Sequence, residues 1–587
     1  MRHTLKQFVT LHQKSVYFTF SAVIMLQMVL AFQGFDVCDD GFAATFYQQF
    51  FNAPDSVEYN FVYWLSGLVG GIWYELFPTG GILWLRLLAI LVNTGTMYLA
   101  YRLLRPYMSL YLLLPALTMA LFINDFGFLL FYNNHLTAFL AMLSMLFLHR
   151  GLIHSNFTYL WISGLLIGLN VFSRLPNLSQ LVLILAFPIW YGLKNGGITT
   201  MIKPISSFAL GFISALGVVT FVLLQLGQFE IMQRAMLSLV DLGSTEQSTH
   251  NVGDLLRDYL GHYKQVIKYC ILLIFPLTMT WLSTSKRIST TVKVVLYVVI
   301  FVFLLFWFYR TEIYGFYALG YFGLLAVMWL EKRKEMILLV FMAFVMQFFL
   351  PFGSGGGIRS IGYASLWLSL PLFFYAIQLV LAKLASTSNL FQEPGGFKKP
   401  KAKAFIILLL ISFSIVRSYS WFNQAYFDPG PRVEKVYGIK SKYARGVFTT
   451  KERAEIINGL LVELPSYIQP NDYLLVYDKS PMVHFLTQTR PYMYNSWPWI
   501  YDTLSFEKKL EQAAKKRLDL PVVVVQKFET IKRFSKPQKE YVSSTAEDNF
   551  FHNNKIAAMM NTFLKDHSYQ KMWSNDYYDL YIPAGAN

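Results

Sequence analysis

The chain has 587 residues, of which 55% are hydrophobic and 14% are charged, and its formal net charge is +16. Long apolar segments recur up to about residue 422, and a soluble core does not need segments of the length that crosses a bilayer. The composition therefore excludes a soluble globular protein. Most of the positive charge falls in loops between these segments, which argues against nucleic acid as a partner.

Thirteen membrane-spanning helices are predicted, because lipid leaves a spanning backbone no hydrogen-bond partners outside its own helix. They lie at 15–34, 80–101, 107–123, 129–148, 157–173, 178–193, 204–227, 266–283, 291–309, 314–330, 336–351, 362–382 and 404–422. The first is expected to be an uncleaved anchor, since it is too long for a signal peptide and lacks a cleavage pattern.

The distribution of Lys and Arg predicts the orientation. With the N-terminus inside, the cytoplasmic loops hold 19 basic residues and the outer loops hold 7, which fits the positive-inside rule. The outer seven are Arg174, Arg234, Arg257, Lys264, Lys268, Arg310 and Arg359. Thirteen spans then place the C-terminal segment outside. The expected location is a bacterial inner membrane with a periplasmic C-terminal domain.

The first outer loop, about 35–79, contains six acidic residues and no Lys or Arg. Its adjacent carboxylates, Asp39 and Asp40, follow the first span closely and are candidates for a general base or a divalent-metal site at the membrane surface. The alternative is that Asp39 caps the next helix. Two amphipathic stretches follow, Phe42–Phe51 and Tyr59–Leu68. We expect them to be interfacial helices, anchored by Trp64, Trp73 and several tyrosines. The loop's acidic residues are Asp36, Asp39, Asp40, Asp55, Glu58 and Glu75.

Polar residues in two other outer loops are weaker candidates. Asn134 and His135 open the second outer loop's helix and are candidate substrate contacts, although a lone His at a helix start is commonly structural. His250 and His262 lie in the long loop 228–264. The two cysteines, Cys38 and Cys270, are interpreted as separate buried thiols rather than as a disulfide.

Residues 423–587 differ in character, with 22 basic and 18 acidic residues and no spanning segment. A Lys-rich linker, Lys398–Lys403, precedes the last span. Alternating strands and helices predict a small α/β domain. The predicted elements are strand Tyr473–Asp478, helix Ser480–Thr487, extended segment Arg490–Asn495, helix 505–517, strand Pro521–Gln526, helix 546–565 and strands Tyr569–Trp573 and Tyr577–Ile582.

This plan resembles the GT-C glycosyltransferases, in particular the group of protein O-mannosyltransferases and lipid A aminoarabinose transferases. Asp39-Asp40-Gly41 stands where that group usually has Asp-Glu, and Leu474–Arg490 resembles the opening of the periplasmic domain in bacterial members. The resemblance implies sugar transfer from a polyprenyl-phosphate carrier at the outer membrane face, with inversion. Asp39 or Asp40 would be the base.

A polyprenyl-phosphate donor in turn implies cations near the outer membrane edge. Three arginines are candidates for the phosphate: Arg174 in a very short turn, Arg310 at a helix end, and Arg359 in a glycine-rich turn. Each is alternatively an arginine whose side chain reaches from a helix end to the interface. Glu58 is a candidate substrate contact, although solvation or helix capping is the alternative reading of it.

The predicted fold is thus a polytopic helical membrane domain, 1–422, followed by an extracytoplasmic α/β domain, 423–587. The predicted function is transfer of a hexosyl or pentosyl group from a polyprenyl-phosphate donor to a glycan, lipid or protein acceptor. A transporter or flippase is the alternative, as is a polymerase or ligase of lipid-linked glycans. The scarcity of ionisable residues within spans and the lack of internal repeats count against a transporter.

Overall fold

The computed structural model describes residues 2–123, 130–244, 252–283, 288–354, 356–387, 401–477, 479–517, 519–528 and 553–584. His250, Asp478, the first half of the Lys-rich linker and the first part of the helix predicted at 546–565 lie outside these residues. The chain forms a helical part up to residue 423, followed by a domain that contains all the strands of the described residues.

Seventeen helices make up the helical part of the described chain. They are α1 (Arg2–Ala31), α2 (Asp39–Gln49), α3 (Trp64–Leu76), α4 (Gly81–Leu104), α5 (Leu110–Leu121), α6 (Asn133–His154), α7 (Phe157–Ser173), α8 (Ala186–Leu193), α9 (Ile202–Gln225), α10 (Phe229–Ser244), α11 (Val252–Ser283), α12 (Thr290–Arg310), α13 (Tyr314–Leu330), α14 (Lys334–Phe349), α15 (Gly357–Ile361), α16 (Leu366–Thr387) and α17 (Lys401–Asn423). Short 3₁₀ helices add Pro54–Tyr63 before α3 and Leu175–Leu185 before α8.

Within the described residues, nine helices are long and apolar enough to cross a membrane, and α5, α7 and α13 are shorter apolar helices. A helix occupies each predicted span, so the prediction of a polytopic helical membrane protein is confirmed. The number of crossings, thirteen, stays a prediction. Small residues allow close approach between these helices. Helices α7 and α9 show this. A Cβ at Gly164 of α7 would lie 1.9 Å from the carbonyl oxygen of Phe208 on α9, and a Cβ at Gly211 of α9 would lie 1.9 Å from the carbonyl oxygen of Trp161 on α7.

The first outer loop forms a compact layer rather than two exposed interfacial helices. Ten of the eleven residues of α2 are buried, and Trp64 is also buried, with its indole N–H donating to Gln228. Trp73 stacks on Trp84 of α4 with 4.2 Å between ring centroids. Helices form in this loop as predicted, but the assignment of Trp64 as an interfacial anchor was wrong, because Trp64 packs within the helical part against Phe172 and Gln228.

The C-terminal domain contains a five-stranded mixed sheet with helices packed on it. Its elements are β1 (Gln424–Ala425), β2 (Asp428–Pro429), β3 (Tyr437–Gly438), β4 (Phe448–Thr449), α18 (Lys451–Glu463), β5 (Tyr473–Tyr477), α19 (Met482–Thr487), β6 (Arg490–Pro491), α20 (Thr503–Lys516), β7 (Val522–Gln526), α21 (Asn554–Asp566), β8 (Tyr569–Ser574) and β9 (Tyr578–Pro583). The sheet order is β6-β5-β7-β9-β8, with β5 parallel to β6 and β7. The α/β domain is therefore confirmed, with elements close to their predicted bounds.

The C-terminal domain docks directly on α2. A Cβ at Gly41 would lie 2.1 Å from the backbone nitrogen of Met482, so only glycine permits this approach of α2 to α19. The Met482 N–H donates to the Val37 carbonyl at 3.1 Å. Gln48 donates from its side chain to the Phe485 carbonyl, also at 3.1 Å. The last domain of the chain therefore lies on the same side of the helical part as its first loop.

Candidate active site

The start of α2 is fixed by Asp36, which is 1% exposed. Its carboxylate accepts the backbone N–H groups of Cys38 at 2.8 Å and Asp40 at 2.9 Å. These are amides of the first helical turn, which would otherwise lack partners. Asp36 is therefore the capping residue of this loop, and the alternative role of Asp39 as the cap is not what the structure shows.

The adjacent carboxylates of Asp39 and Asp40 have different partners. Asp40 is 5% exposed, and its Oδ2 lies 3.4 Å from Nη2 of the fully buried Arg86. Arg86 also donates to the carbonyls of Ala31 and Gly34 at the end of α1. Asp39 remains partly exposed, and its Oδ2 accepts a hydrogen bond from the Tyr426 hydroxyl. Asp39 is thus the member of the pair that a substrate can reach.

Burial changes the acidity of all three carboxyls. It raises the pKa of Asp39 to about 6, while the Tyr426 hydrogen bond acts in the opposite direction. Burial also raises the pKa of Asp40 to about 6 against the attraction of Arg86. The pKa of Asp36 is raised well above its usual range by burial and by the two neighbouring carboxylates. A carboxylate with a pKa near 6 is a better base than an ordinary aspartate and still ionises at neutral pH.

Residues distant in sequence meet around Asp39, and we call Asp39, Tyr63, Tyr132, Asn134, Arg174 and Tyr363 the Asp39 site. The Asp39 carboxylate is within electrostatic range of the hydroxyls of Tyr63, Tyr132 and Tyr363. The Arg174 guanidinium acts on the same three hydroxyls. Asp39 and the three tyrosines are all partly exposed, so they line a space open to solvent.

Arg174 is a buried cation without a carboxylate partner in the described part of the chain. It follows α7 in extended conformation, is 6% exposed, and its Nη1 has no hydrogen-bond acceptor among the described residues. A buried charge is costly unless it is paired, so an arginine of this kind indicates that an anion completes the site. Of the three arginines predicted to bind the donor phosphate, Arg174 is the one that shares its tyrosine neighbours, Tyr63, Tyr132 and Tyr363, with Asp39.

Asn134 and His135, predicted substrate contacts, take different positions at the start of α6. Asn134 donates to the Ser360 carbonyl at 3.4 Å and its side chain lies near the Tyr363 hydroxyl, so it belongs to the Asp39 site. His135 is 1% exposed, and its Nδ1 accepts the Tyr132 backbone N–H at 2.9 Å. His135 therefore caps its own helix, which is the structural alternative that the sequence left open.

The other two candidate arginines lie further out. Arg359 is exposed on α15, 3.2 Å from the Glu312 carboxylate and over the Tyr314 ring. Its helix carries Ser360, which contacts Asn134, so Arg359 lies near the rim of the Asp39 site. His262 approaches the same rim, with its Nδ1 2.6 Å from the Tyr314 hydroxyl. Arg310 is exposed at the end of α12 and packs on Tyr309.

Glu58, the third predicted substrate contact, connects three parts of the fold. Its carboxylate is buried and pairs with Arg234 at 2.6 Å and with Lys509 at 2.7 Å. Arg234 also pairs with the exposed Asp55. These ion pairs join the 3₁₀ helix of the first loop to α10 and to α20. Both carboxylate oxygens of Glu58 are thereby occupied, which is the arrangement of a structural cross-link rather than of a binding residue.

The three carboxylates of the loop do not converge on one point. Asp36 faces backbone amides, Asp40 faces Arg86, and Asp39 faces Tyr426. In the residues that the structure describes, no three His, Cys, Asp or Glu side chains form a cluster able to hold a metal ion. The residues present therefore do not fit a divalent metal held jointly by Asp39 and Asp40. Cys38 and Cys270 are separate thiols, as predicted, but only Cys38 is buried, with its Sγ donating to the Lys479 carbonyl at 3.1 Å, whereas Cys270 is half-buried.

Several residues of the site were missed in the sequence. Tyr63, Tyr132, Tyr363 and Tyr426 are four of 37 tyrosines, and nothing in their local pattern separates them from interfacial or core tyrosines. Arg86 could have been recognised from the sequence, because an arginine near the start of an apolar span is expected to pair with an acidic residue. The nearest acidic residues before that span were those of the first loop.

No family model matches the chain, and no curated protein matches it either. Solved structures with a similar backbone include ArnT from Cupriavidus metallidurans in the apo state, which is 10% identical over 97% of this chain and 98% of that one, with a TM-score of 0.49. The same ArnT bound to undecaprenyl phosphate gives a TM-score of 0.41 at 10% identity over 98% and 99% of the two chains.

An oligosaccharyltransferase from Archaeoglobus fulgidus, tethered to an acceptor peptide, is also similar. It is 13% identical over 86% of this chain and 69% of that one, with a TM-score of 0.44. ArnT and the oligosaccharyltransferase are both GT-C proteins, the superfamily that the sequence resembles. At such identities and with TM-scores below 0.5 the likeness concerns the backbone alone, and the function is inferred from the Asp39 site.

Proposed function

We propose that this protein is an integral membrane glycosyltransferase that moves a sugar from a polyprenyl-phosphate-linked donor to an acceptor at the outer face of the membrane. One observation carries the proposal: a partly exposed carboxylate, Asp39, and a buried cation with no carboxylate partner among the described residues, Arg174, lie within electrostatic range of the same three tyrosine hydroxyls. A base and an anion-binding group at one site are the two parts that transfer from a phosphate-linked donor needs.

In the proposed reaction, Asp39 accepts the proton of the acceptor's hydroxyl or amino group as the acceptor's lone pair attacks the anomeric carbon. The bond between the anomeric carbon and the phosphate oxygen breaks on the opposite side. The departing phosphate keeps the bonding electrons, and Arg174 stabilises the negative charge that it gains. Attack opposite the leaving group inverts the anomeric centre.

The raised pKa of Asp39 suits this role. A base with a pKa of about 6 is largely ionised at neutral pH, and its affinity for a proton exceeds that of an exposed aspartate. Tyr63, Tyr132 and Tyr363 supply hydroxyls and aromatic faces in the same site, and both kinds of group suit sugar binding. Arg359, near the rim, is proposed as a second, weaker contact of the donor phosphate, and Arg310 as a third candidate that lacks a link to Asp39.

The proposal is tested by incubating the purified full chain with a panel of radiolabelled polyprenyl-phosphate sugars and candidate lipid, glycan and peptide acceptors. Transfer of label to an acceptor is expected with the wild type. Asp39→Asn is expected to lower the rate by about 100-fold or more, the usual contribution of a general base. Glu75→Gln is the matched control, since Glu75 is an exposed carboxylate of the same loop.

A wild-type rate in Asp39→Asn would show that the base lies elsewhere. Movement of the labelled lipid between leaflets of a vesicle without formation of product would instead favour a flippase. The polymerase alternative predicts products that carry many sugars. The assay distinguishes these from a transferase, which forms a product with one added sugar.

The outer-face placement rests on charge and on domain contacts. The C-terminal domain packs on α2 through Gly41 and Met482, so it lies on the side of the first loop, and the distribution of Lys and Arg places that side outside. A reporter active only outside the cytoplasm should be active when fused after residue 587. The same reporter inserted in the Lys-rich linker at 398–403 should be inactive, and the reverse pattern would place the site in the cytoplasm.

A further inference from the structure

A tight hairpin at the start of the C-terminal domain touches the proposed base. Strands β1 and β2 pair with a two-residue turn made of Tyr426 and Phe427. Phe427 has a φ of +46°, a left-handed conformation that is unusual for a bulky residue. Such backbone strain persists only where the surroundings hold it in place. The Tyr426 hydroxyl, at the tip of this turn, donates to Oδ2 of Asp39.

Contacts on both sides hold the turn. The rings of Tyr426 and Phe427 stack with 4.2 Å between centroids and an interplanar angle of 24°. The Phe427 carbonyl accepts a hydrogen bond from Arg453 of α18. The turn therefore has a fixed aromatic face and an anchored backbone, and the direction of the Tyr426 hydroxyl is determined by the C-terminal domain rather than by the first loop.

The same hairpin also holds the backbone just before α2. Asp428, the first residue of β2, accepts the Phe35 N–H at 2.8 Å and the Lys435 ammonium at 3.0 Å. Arg453 donates to the Phe35 carbonyl at 2.7 Å. Both polar groups of the Phe35 backbone are thus bound by buried charges of the C-terminal domain, and the next residue, Asp36, caps the turn that carries Asp39.

We propose that Tyr426 is a positioning residue for Asp39, and that the strained hairpin tip orients the carboxylate of the base and sets the pH at which it becomes active. The inference rests on the proposed function, since it assigns Asp39 the role of base. The helical part would supply the base, and the C-terminal domain would orient it. Sugar transfer would therefore depend on the contact between these two parts of the chain.

Charged and titratable groups face Asp39 from every element packed against it. Asp36 and Asp40 adjoin it on its own loop, and Arg86 of α4 acts on it through Asp40. The tyrosines of the Asp39 site lie within its electrostatic range from the helical part, and Arg174 acts on those same tyrosines. Among the described residues, the side-chain hydrogen bond to the Asp39 carboxylate comes from Tyr426. That bond favours the charged form, so its loss should raise the pKa of Asp39 further.

The test compares Tyr426→Phe with Tyr437→Phe in the transfer assay across pH. Tyr437 is an exposed tyrosine of the same segment, in β3, and serves as the control. In Tyr426→Phe the acidic limb of the pH–rate profile should move up by about one pH unit, the equivalent of one hydrogen bond to a charged group. The turnover number should fall about tenfold, with little change in the KM for the donor. An unshifted profile with a normal turnover number would overturn the proposal.

A second measurement separates this inference from the proposed function, because it does not need activity. Thermal unfolding in detergent is followed for the wild type, Tyr426→Phe, Asp39→Ala and the double variant. If the contact exists, Tyr426→Phe should lower the melting temperature less in the Asp39→Ala background than in the wild type. If the two substitutions are coupled in stability but Asp39→Asn keeps full activity, the role of Asp39 as base is refuted and the contact stands. If their effects on the melting temperature are additive, the contact between Tyr426 and Asp39 is refuted.

Discussion

Two of the groups of buried charge in the described residues, the Asp428 group and the Asp39 site, differ in how completely they are paired. In the first, Asp428 binds Lys435 and Arg453, and all three side chains are within 1% of full burial. In the second, the Asp39 site, Arg174 has no carboxylate partner in the described part of the chain, and Asp39 has only a neutral hydroxyl on its carboxylate. The first group holds the two parts together, and we propose that an anionic group of the substrate completes the second.

The physical distinction follows from desolvation. Removing charges from water costs several kcal/mol per ion, and close pairing with good hydrogen bonds offsets that cost. The Asp428 group has such pairing and needs no ligand. The Asp39 site lacks it, so its charges destabilise the free protein and are available to a substrate. The completeness of pairing of a buried charge thus indicates whether the group stabilises the fold or is available to bind a substrate.

The largest expected effect concerns the paired group. Asp428→Asn removes its negative charge but keeps the side chain's size, which leaves Lys435 and Arg453 buried without a counter-charge. The free energy of unfolding should fall by about 3–5 kcal/mol, the usual cost of breaking a buried ion pair. Glu434→Gln, at an exposed acid of the same segment, is the control. Thermal unfolding in detergent measures both, and equal melting temperatures would show that the cluster contributes little.

An effect on binding rather than on stability is expected from the unpaired group. Arg174→Ala should lower kcat/KM for the donor by about 100-fold, as loss of a group that stabilises transition-state charge does. Since the cation has no carboxylate partner, the melting temperature should stay the same or rise. Arg359→Ala should have a smaller effect and Arg310→Ala the smallest. Initial rates at varied donor concentration give kcat/KM for the three variants. A large fall in kcat/KM for Arg310→Ala alone would show that the donor phosphate binds near Arg310 and not in the Asp39 site.

The smallest effect is a dependence of stability on pH. The pKa of Asp39 is raised to about 6 in the folded protein, above the ordinary value of 3.8, so the folded state binds the proton more tightly. The stabilisation from protonation is complete below pH 3.8 and is lost as pH rises through 6. Asp39→Asn should therefore melt at a higher temperature than the wild type at pH 8 and at a similar one near pH 4. A difference that does not vary with pH would show that Asp39 titrates normally.

Much of this architecture follows from local pattern. Apolar segments of about 20 residues predicted the spanning helices, because lipid permits few other backbone conformations. Strands such as Val522–Gln526 were recognised because a run of β-branched residues between charged helices has few alternatives. The prediction was less successful for the first loop, where helices were expected at an open interface. Their burial comes from a domain that begins more than 340 residues later in the sequence.

For the site, the sequence determined that one of two adjacent carboxylates and one of three arginines were the best candidates. It could not choose among them, because Asp39 and Asp40 differ by a single helical position, and their roles depend on which one Arg86 approaches. Tertiary structure also decided that Glu58 and His135 have partners within the fold, that Arg174 and Asp39 act on the same three tyrosines, and that Tyr426 donates to Asp39. Each of these facts depends on contacts between residues far apart in the chain, which local sequence patterns do not encode.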